Sequence, residues 1–253
     1  MTGRRFSLIP LLLIVALTAR AQSPEQLFQQ ANGLYQDGKI AEARDLYEKI
    51  VSNGYVSEDL YYNLGNVYYR LGDLGHAILN YERAHRLAPA DEDLRHNLQL
   101  ANLRVTDRIE PTPRLFVWDY WDSMKGSVST STAMWVAYVL FVFLIVAVAF
   151  FMLGQSYGLR KAALLGGIVC ALFLVGSGLF LWDKVSDDNR RDEAIILAAI
   201  TTIKNSPDPK SSDAFVLHAG VKVRVIDSVN EWIKIRLADG KVGWMERGAA
   251  ETI

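Results

Sequence analysis

The sequence predicts a multi-domain chain that joins a helical-repeat domain, a two-helix transmembrane hairpin and a small β-barrel. The observations behind this prediction are a segment that repeats every 34 residues, two long uncharged apolar runs, and a C-terminal region of short alternating strands. With 27 basic and 28 acidic residues the chain is close to neutral, which argues against a nucleic-acid partner. The single cysteine, Cys170, supports neither a disulfide framework nor a thiolate metal site.

Residues 1–21 have the three parts of an export signal. Arg4 and Arg5 supply the positive charge, an apolar core follows, and Ala19 and Ala21 are the small residues that a signal peptidase reads. An uncleaved membrane anchor is the alternative. In either case we expect the segment that follows to be delivered across the membrane.

Residues 24–57 and 58–91 align without a gap at a period of 34 residues. The coinciding pairs include Tyr35 and Tyr69, Gly38 and Gly72, Ala43 and Ala77, and Tyr47 and Tyr81. This pattern resembles the tetratricopeptide repeat, in which each unit is a pair of antiparallel helices. The resemblance implies that Gly65 lies where two helices cross and that Gly72 makes the turn between them. A third helix, N-capped by Asp91, is expected to cap the stack, so that the domain covers 22–109.

The resemblance to the tetratricopeptide repeat also implies a concave groove lined by the first helix of each unit. Aromatic and amide side chains there suit a peptide held by stacking and by hydrogen bonds to its backbone. The candidate protein-binding residues are Phe28, Asn32, Tyr35, Tyr62, Asn66, Tyr69 and Arg70. The alternative is that several of the aromatic residues only pack between repeats. Because such arrays usually need about three units to bury a continuous core, we expect the domain to be stabilised by a partner or by a second copy of the chain.

Residues 131–154 and 162–182 carry no charge and are long enough to cross a bilayer as helices. The loop between them, 155–161, carries Arg160 and Lys161, and positive charge on a short loop places that loop in the cytoplasm. We therefore predict an inner-membrane protein with two spans and with both flanking domains in the periplasm. Because neither span carries a charged side chain, the sequence argues against a transporter or pump.

Residues 110–130 are expected to form a linker, because two prolines prevent the preceding helix from continuing. Aromatic residues alternate with aspartates in this segment, which favours a position along the membrane surface; they are Trp118, Tyr120 and Trp121. A helix packed on the capping helix is the alternative. In the second span, Ala163, Gly167 and Ala171 recur every four residues and form a groove for the first span or for a helix of another protein.

From residue 190 to residue 253 the pattern changes to short alternating strands. Asp239 and Gly240 between two of them predict a hairpin turn. The order of L-x-x-G, EW and DG-x-x-GW resembles bacterial SH3 domains, which are small five-stranded barrels often found on exported proteins. The resemblance implies a binding groove served by Trp232 or Trp244, and the alternative is that one or both fill the core of the barrel.

The order of these modules, together with the stretch YYNLGNVYYRLGD, resembles the BatE family of the Bacteroides aerotolerance operon group over essentially the full chain. The resemblance implies a non-enzymatic scaffold or adaptor linked to aerotolerance or envelope stress. Its implied partners are Bat proteins with von Willebrand A domains, beside a MoxR-type AAA+ ATPase. A sensor that binds peptidoglycan through its SH3-like domain is the alternative, and a homo-oligomer also stays open. Neither a catalytic nor a metal-binding motif is present, so we predict no catalytic residue, metal or cofactor.

Overall fold

The computed structural model describes residues 23–188 and 192–253. The predicted export signal, residues 1–21, lies outside them. The described chain contains a domain of helical repeats, two long apolar helices with a shorter helix before them, and one antiparallel sheet. The main parts therefore follow one another in the order that the sequence predicts.

Five helices form the first domain: α1 (Pro24–Gln36), α2 (Ile40–Ser52), α3 (Glu58–Leu71), α4 (Leu74–Leu87) and α5 (Glu92–Asn102). Four of them begin after a side chain that accepts a backbone N–H of the first turn, as short polar residues do at N-caps. These capping residues are Ser23, Ser57, Asp73 and Asp91. The predicted N-cap at Asp91 is confirmed. The helices pack as two hairpins, α1 on α2 and α3 on α4, with α5 against α4.

A glycine marks the crossing within the second hairpin. A Cβ on Gly65 would lie 2.6 Å from Cδ1 of Tyr81, so only glycine leaves room for this ring. Ala77 is fully buried on the facing helix. Gly72 ends α3 with a φ of 83°, a conformation that glycine adopts without strain. The roles predicted for the two glycines are confirmed.

Two long helices, α7 (Thr130–Leu153) and α8 (Tyr157–Asp188), are long and apolar enough to cross a membrane. They pack on each other, and a Cβ on Gly167 would lie 3.5 Å from the Cβ of Ala147. Gly167, the central residue of the row of small residues in α8, therefore faces α7.

The second long helix is longer than the predicted span 162–182. It begins inside the predicted loop 155–161, because the Ser156 hydroxyl caps it by accepting the N–H of Leu159 at 3.2 Å. The sequence that follows contains no proline that would break the helix. Its C-terminal end continues beyond residue 182 as a charged extension.

A shorter helix, α6 (Phe116–Ser127), packs against this extension of α8. Trp121 Nε1 donates to Asp183 Oδ2 at 2.8 Å, and its ring meets that of Phe180 edge-on with centroids 5.4 Å apart. The Lys125 ammonium contacts the carboxylates of Asp183 and Asp187. The segment 110–130 thus contains a helix anchored to the end of the second span. Its exposed aromatic residues are Phe116, Trp118 and Tyr120.

The C-terminal region forms one antiparallel sheet. Its strands are β1 (Glu193–Ile196), β2 (Ile200–Lys204), β3 (Asp213–His218), β4 (Lys222–Val229), β5 (Trp232–Arg236), β6 (Val242–Glu246) and β7 (Ala250–Thr252). Their order across the sheet is β3-β2-β6-β5-β4-β1-β7. The predicted turn between β5 and β6 is confirmed, with Gly240 at a φ of 90°. The apolar stretch 194–201 is divided between β1 and β2.

The prediction of a closed five-stranded barrel is wrong. The sheet is open, and its edge strands β3 and β7 are not hydrogen-bonded to each other. The helical domain occupies the free edge of β7: Arg83 Nη2 donates to the carbonyl oxygen of Thr252 at 2.8 Å, and Arg86 Nη1 donates to that of Ile253 at 2.6 Å. Because α4 supplies these donors, β7 needs no partner strand there.

The sheet and the helical repeats share a packed joint. Ile195 of β1 belongs to the buried core of the helical domain. A Cβ on Gly75 of α4 would lie 3.0 Å from the carbonyl oxygen of Ile196, so the two elements approach closely. Asp107, after α5, accepts the backbone N–H of His218 at 2.6 Å. The sheet is therefore bound to α4 and to the segment after α5.

Candidate protein-binding groove

The predicted groove residue Asn32 is part of a hydrogen-bonded set that links two repeats. The Tyr47 hydroxyl donates to Asn32 Oδ1 at 2.5 Å. Asn63 Nδ2, on the first helix of the next unit, donates to the same oxygen at 3.2 Å. One carbonyl oxygen therefore joins both helices of a unit to the unit that follows.

The same set of hydrogen-bonded tyrosine and asparagine side chains recurs 34 residues later. The Tyr81 hydroxyl donates to Asn66 Oδ1 at 2.7 Å, and Asn97 Nδ2 donates to the same oxygen at 3.2 Å. Asn97 Nδ2 also donates to the Tyr62 hydroxyl at 2.8 Å. Asn63 and Asn97 were missed as site residues, although their spacing of one repeat could have revealed them. The NH2 groups of Asn32 and Asn66 take no part in this network and can donate to a bound chain.

Burial keeps the tyrosines of this network protonated. It raises the pKa of Tyr47 to about 12, and the neighbouring Tyr35 adds to the shift. Burial likewise raises the pKa of Tyr81, together with the nearby Tyr62. Both hydroxyls therefore remain donors at any physiological pH, and the asparagine oxygens stay occupied.

The aromatic groove residues are also partly structural. The ring of Phe28 meets that of Tyr47 at 61° with centroids 5.8 Å apart, and Tyr62 lies on Tyr81 with centroids 6.1 Å apart. Such aromatic pairs stabilise the packing beyond the area that they bury. Phe28 and Tyr62 are nevertheless half-buried, so each ring packs on its own unit and keeps one side accessible.

Arginines lie along the other end of the groove. The Arg70 guanidinium lies 5.0 Å from the ring centroid of Tyr35, and the Arg104 guanidinium lies 5.0 Å from that of Tyr69. In each case the arginine comes from the unit that follows its tyrosine. Arg104 was missed, and it too could have been found by adding one period to Arg70. The last part of the groove is apolar. Leu103 lies one repeat after Tyr69, at the equivalent position, and its side chain is 75% exposed.

The two tryptophans of the predicted SH3-like groove lie on one face of the sheet. Ile233 and Met245 alternate with them along β5 and β6 and point into the buried core of the sheet, to which neither tryptophan belongs. Trp244 lies opposite Lys234, whose Nζ is 5.7 Å from its ring centroid. Trp244 is thus covered by neighbours on the outer face, and Trp232 is half-buried on the same face.

No set of three or more His, Cys, Asp or Glu side chains that could hold a metal ion occurs within the described residues. The geometry of the groove instead offers flat rings, amide donors and guanidinium groups. These groups are suited to recognition of a peptide chain and of its side chains.

Two family models match parts of the chain. Residues 58–91 match the tetratricopeptide repeat, and residues 201–250 match the bacterial SH3 domain. The chain therefore contains both modules. A comparison with curated proteins found no match.

Some solved structures are similar to the chain over part of its length. A tetratricopeptide repeat domain protein from Salinibacter ruber, studied in solution by NMR, is 25% identical to this chain, with a TM-score of 0.28. The match covers 32% of this chain and 85% of that protein. MamA protein, known from a crystal structure, is 17% identical to this chain, with a TM-score of 0.31. The match covers 65% of this chain and 74% of that protein.

Proposed function

We propose that the chain is a non-enzymatic scaffold or adaptor whose tetratricopeptide groove holds a segment of a protein partner. The observation that carries this proposal is the regular groove itself: the same tyrosine, asparagine and arginine contacts recur one repeat apart. The sheet binds to α4, Val105 and Asp107, whereas the predicted groove residues lie on α1 and α3. The groove can therefore receive a partner while the sheet stays in place.

The two apolar helices would tether this groove to the inner membrane. Arg160 and Lys161, at the start of α8, favour the cytoplasmic side for the connection between the spans. The helical domain and the sheet then lie in the periplasm. Tethering raises the effective concentration of any partner in the same membrane without a new contact.

The partner class follows from the resemblance to the BatE family. We propose that the groove meets a membrane-bound protein with a von Willebrand A domain, within an assembly linked to aerotolerance or envelope stress. The family matches to both modules support an interaction role in general terms.

A photo-reactive residue in place of Gln36, exposed on the last turn of α1, tests this proposal in living cells. We expect a cross-linked product that contains a von Willebrand A protein. The matched control is the same residue at Lys49, exposed on α2, and it should give no such product. Identical products from both positions, or products that contain only a second copy of the chain, would contradict the proposed partner.

A second candidate function is contact with peptidoglycan through the sheet. The observation that favours it is the outer face that carries the half-buried Trp232 beside Lys234, because rings and cations suit a polymer of sugars and carboxylated peptides. The full chain in detergent should then sediment with purified sacculi, and Trp232→Ala should reduce the bound fraction. Equal sedimentation of both proteins would exclude this face as the contact.

A further inference from the structure

A cavity lies where the helical domain and the sheet meet the C-terminal end of α8. Its volume is about 750 Å³, and residues of α4, α6, α8, β1 and β4 contribute to its lining. Cavities that bind small molecules typically have volumes of about 300–1,000 Å³. This cavity is therefore large enough to receive a ligand.

The position of the cavity along α8 places it beside the lipid headgroups. The uncharged run of α8 ends at Trp182, which is 73% exposed, and the next residues include Asp183, Lys184 and Asp187, which line the cavity. At about 1.5 Å per residue, these three residues lie within about 7 Å of the end of the run. Each headgroup layer of a bilayer is about 5–7 Å thick. With α8 in the membrane, as proposed above, this side of the cavity lies at headgroup depth.

Lys184 is a buried ammonium in the lining of this cavity, and it is only 7% exposed. Within residues 23–188 and 192–253, its Nζ donates to the carbonyl oxygen of Lys125 at 2.7 Å and has no carboxylate at ion-pair distance. An ammonium has three donors, and burying its charge without an anion is costly. The described part of the chain therefore supplies no counter-charge for Lys184, although the cavity beside it has room for one.

The acidic side chains of the lining are already compensated. Each of them lies at ion-pair distance from at least one of four cations, which are Arg114, Lys125, Lys222 and Arg224. Asp122 lies 2.9 Å from Arg114, and Glu193 lies 2.8 Å from Lys222. An anion that enters the cavity therefore meets neutralised carboxylates and the uncompensated ammonium of Lys184.

The end of α6 explains the position of Lys184 only in part. Lys125 lies in the last turn of α6, where a helix leaves its carbonyl oxygens without an intrahelical partner. The C-terminal end of a helix carries about half of a negative charge, which compensates part of the charge on the ammonium. This contact does not account for the cavity that opens beside the same group.

We propose that the cavity binds the phosphodiester group of a membrane phospholipid, and that the Lys184 ammonium donates to its oxygens. The phosphodiester supplies the one negative charge that Lys184 lacks. The acyl chains of the same lipid lie along the apolar part of α8, which raises the effective concentration of the phosphodiester at this depth. Trp118 also lines the cavity and is half-exposed, as is typical of residues at the headgroup level. This inference rests on the proposed membrane tether and names a lipid contact of that tether.

Native mass spectrometry of the full chain in a maltoside detergent, which contains no phosphate, tests this inference. The ligand is phosphatidylethanolamine, whose headgroup has no net charge and is therefore little attracted to basic surfaces in general. The matched lipid is diacylglycerol with the same acyl chains. We expect one tightly bound phosphatidylethanolamine per chain, at least about tenfold weaker binding of diacylglycerol, and a higher midpoint of thermal unfolding with phosphatidylethanolamine.

Variants assign the binding to Lys184. Lys184→Gln keeps an N–H donor for the Lys125 carbonyl oxygen but removes the charge, and it should bind phosphatidylethanolamine at least about tenfold more weakly. Lys161→Gln removes the same charge from the other end of α8, where the residue is exposed, and should bind it as the native chain does. Without lipid, Lys184→Gln should unfold at the same or a higher temperature than the native chain, because a neutral amide costs less to bury.

The outcomes separate this inference from the tether on which it rests. Equal binding by the native chain and Lys184→Gln, or equal binding of the two lipids, would overturn it. If inorganic phosphate raises the midpoint of unfolding as much as phosphatidylethanolamine does, the cavity is a site for soluble anions and the lipid is wrong. A chain that stays in the membrane fraction of cells but binds no phospholipid at Lys184 would overturn this inference alone. A chain recovered in the soluble fraction would overturn the tether as well.

Discussion

At the scale of single residues, the asparagine that recurs in each repeat has two roles, one in the packing of the repeats and one toward a ligand. Asn32 and Asn66 were predicted to face a ligand, and their oxygens instead hold neighbouring units together. Only their NH2 groups remain for a ligand. A sequence pattern shows that an asparagine recurs, but it does not show which of its two polar atoms the fold uses. That choice depends on Tyr47 and Asn63, which come from two other helices.

Gly65 gives a residue-scale prediction. In Gly65→Ala the new Cβ would collide with the ring of Tyr81, whose Cδ1 lies 2.6 Å from that position. We expect a loss of about 1–3 kcal/mol in the free energy of unfolding, because a packed core tolerates an added methyl group poorly. Thermal unfolding of the full chain in detergent, followed by the circular dichroism of the helices, measures it.

The matched control for this prediction is Gly33→Ala. A Cβ on Gly33 would meet no atom within 4 Å, and alanine favours a helix over glycine by about 1 kcal/mol. The control should therefore keep or raise the midpoint of unfolding. A loss of similar size in both variants would show that the contact with Tyr81 is not the cause.

At the scale of elements, the sequence predicts the features that depend only on residues close together along the chain. The cap at Asp91, the turn at Gly72 and the hairpin at Gly240 are local, and the structure shows them. The open sheet could not be predicted in this way. The edge of β7 is occupied by Arg83 of α4, which lies far away along the chain, and no pattern of alternation within the strands reveals such a contact.

The N-cap of α4 predicts a dependence on pH. The hydrogen bond that the His76 ring donates to the Asp73 carboxylate raises the pKa of His76, whereas burial lowers it, and Glu251 and Glu48 add to the rise. His76 Nδ1 lies 2.8 Å from Asp73 Oδ2, and its ring stacks on Tyr68. A raised histidine pKa stabilises the fold fully below its unfolded value of about 6.5, and this contribution is lost as the pH rises through the higher folded value.

Asp73→Asn tests this dependence because asparagine keeps the cap while removing the charge. Between pH 6 and pH 9 we expect the native chain to lose about 0.5 kcal/mol more than the variant, a small effect because both side chains are over one-third exposed. Denaturant unfolding at several pH values provides the measurement. Parallel curves for both proteins would show that the pair makes no contribution linked to protonation.

The anchoring of α6 on α8 gives a second prediction at this scale. Lys125 contacts the carboxylates of Asp122, Asp183 and Asp187, and these hydrogen bonds raise its pKa although burial acts to lower it. Lys125→Met removes this ammonium group from all three carboxylates. Hydrogen bonds to charged groups contribute about 1.5–3 kcal/mol, so amide exchange in α6 should accelerate roughly tenfold or more.

The control is Lys125→Arg, which keeps the charge and the donors and should exchange as slowly as the native chain. Exchange in strands β4 to β6 should be the same in all three proteins. Slow exchange of α6 in Lys125→Met would show that Trp121 and its contacts with Phe180 and Asp183 are sufficient to hold this helix.

At the scale of the whole molecule, the modules are less separate than their order along the chain suggests. The match to the bacterial SH3 domain begins at residue 201, after β1. It is Ile195 of β1 that enters the core of the helical domain. The repeat period and the strand pattern each predict a module, but the joint between them depends on packing across modules. The two long apolar helices follow from composition alone, since a long uncharged run placed in hydrocarbon satisfies its backbone as a helix.

The orientation of this assembly in the membrane is the last prediction. Arg160 and Lys161 favour the cytoplasm for the connection between the spans, so the sheet should lie on the opposite side. In a Cys170→Ala background, Lys210→Cys places a thiol on an exposed loop of the sheet, and Gln155→Cys places one between the spans. A maleimide that cannot cross the inner membrane should label the first thiol in intact spheroplasts and the second only after lysis. The reverse pattern would move the groove to the cytoplasm, where the proposed periplasmic partners could not reach it.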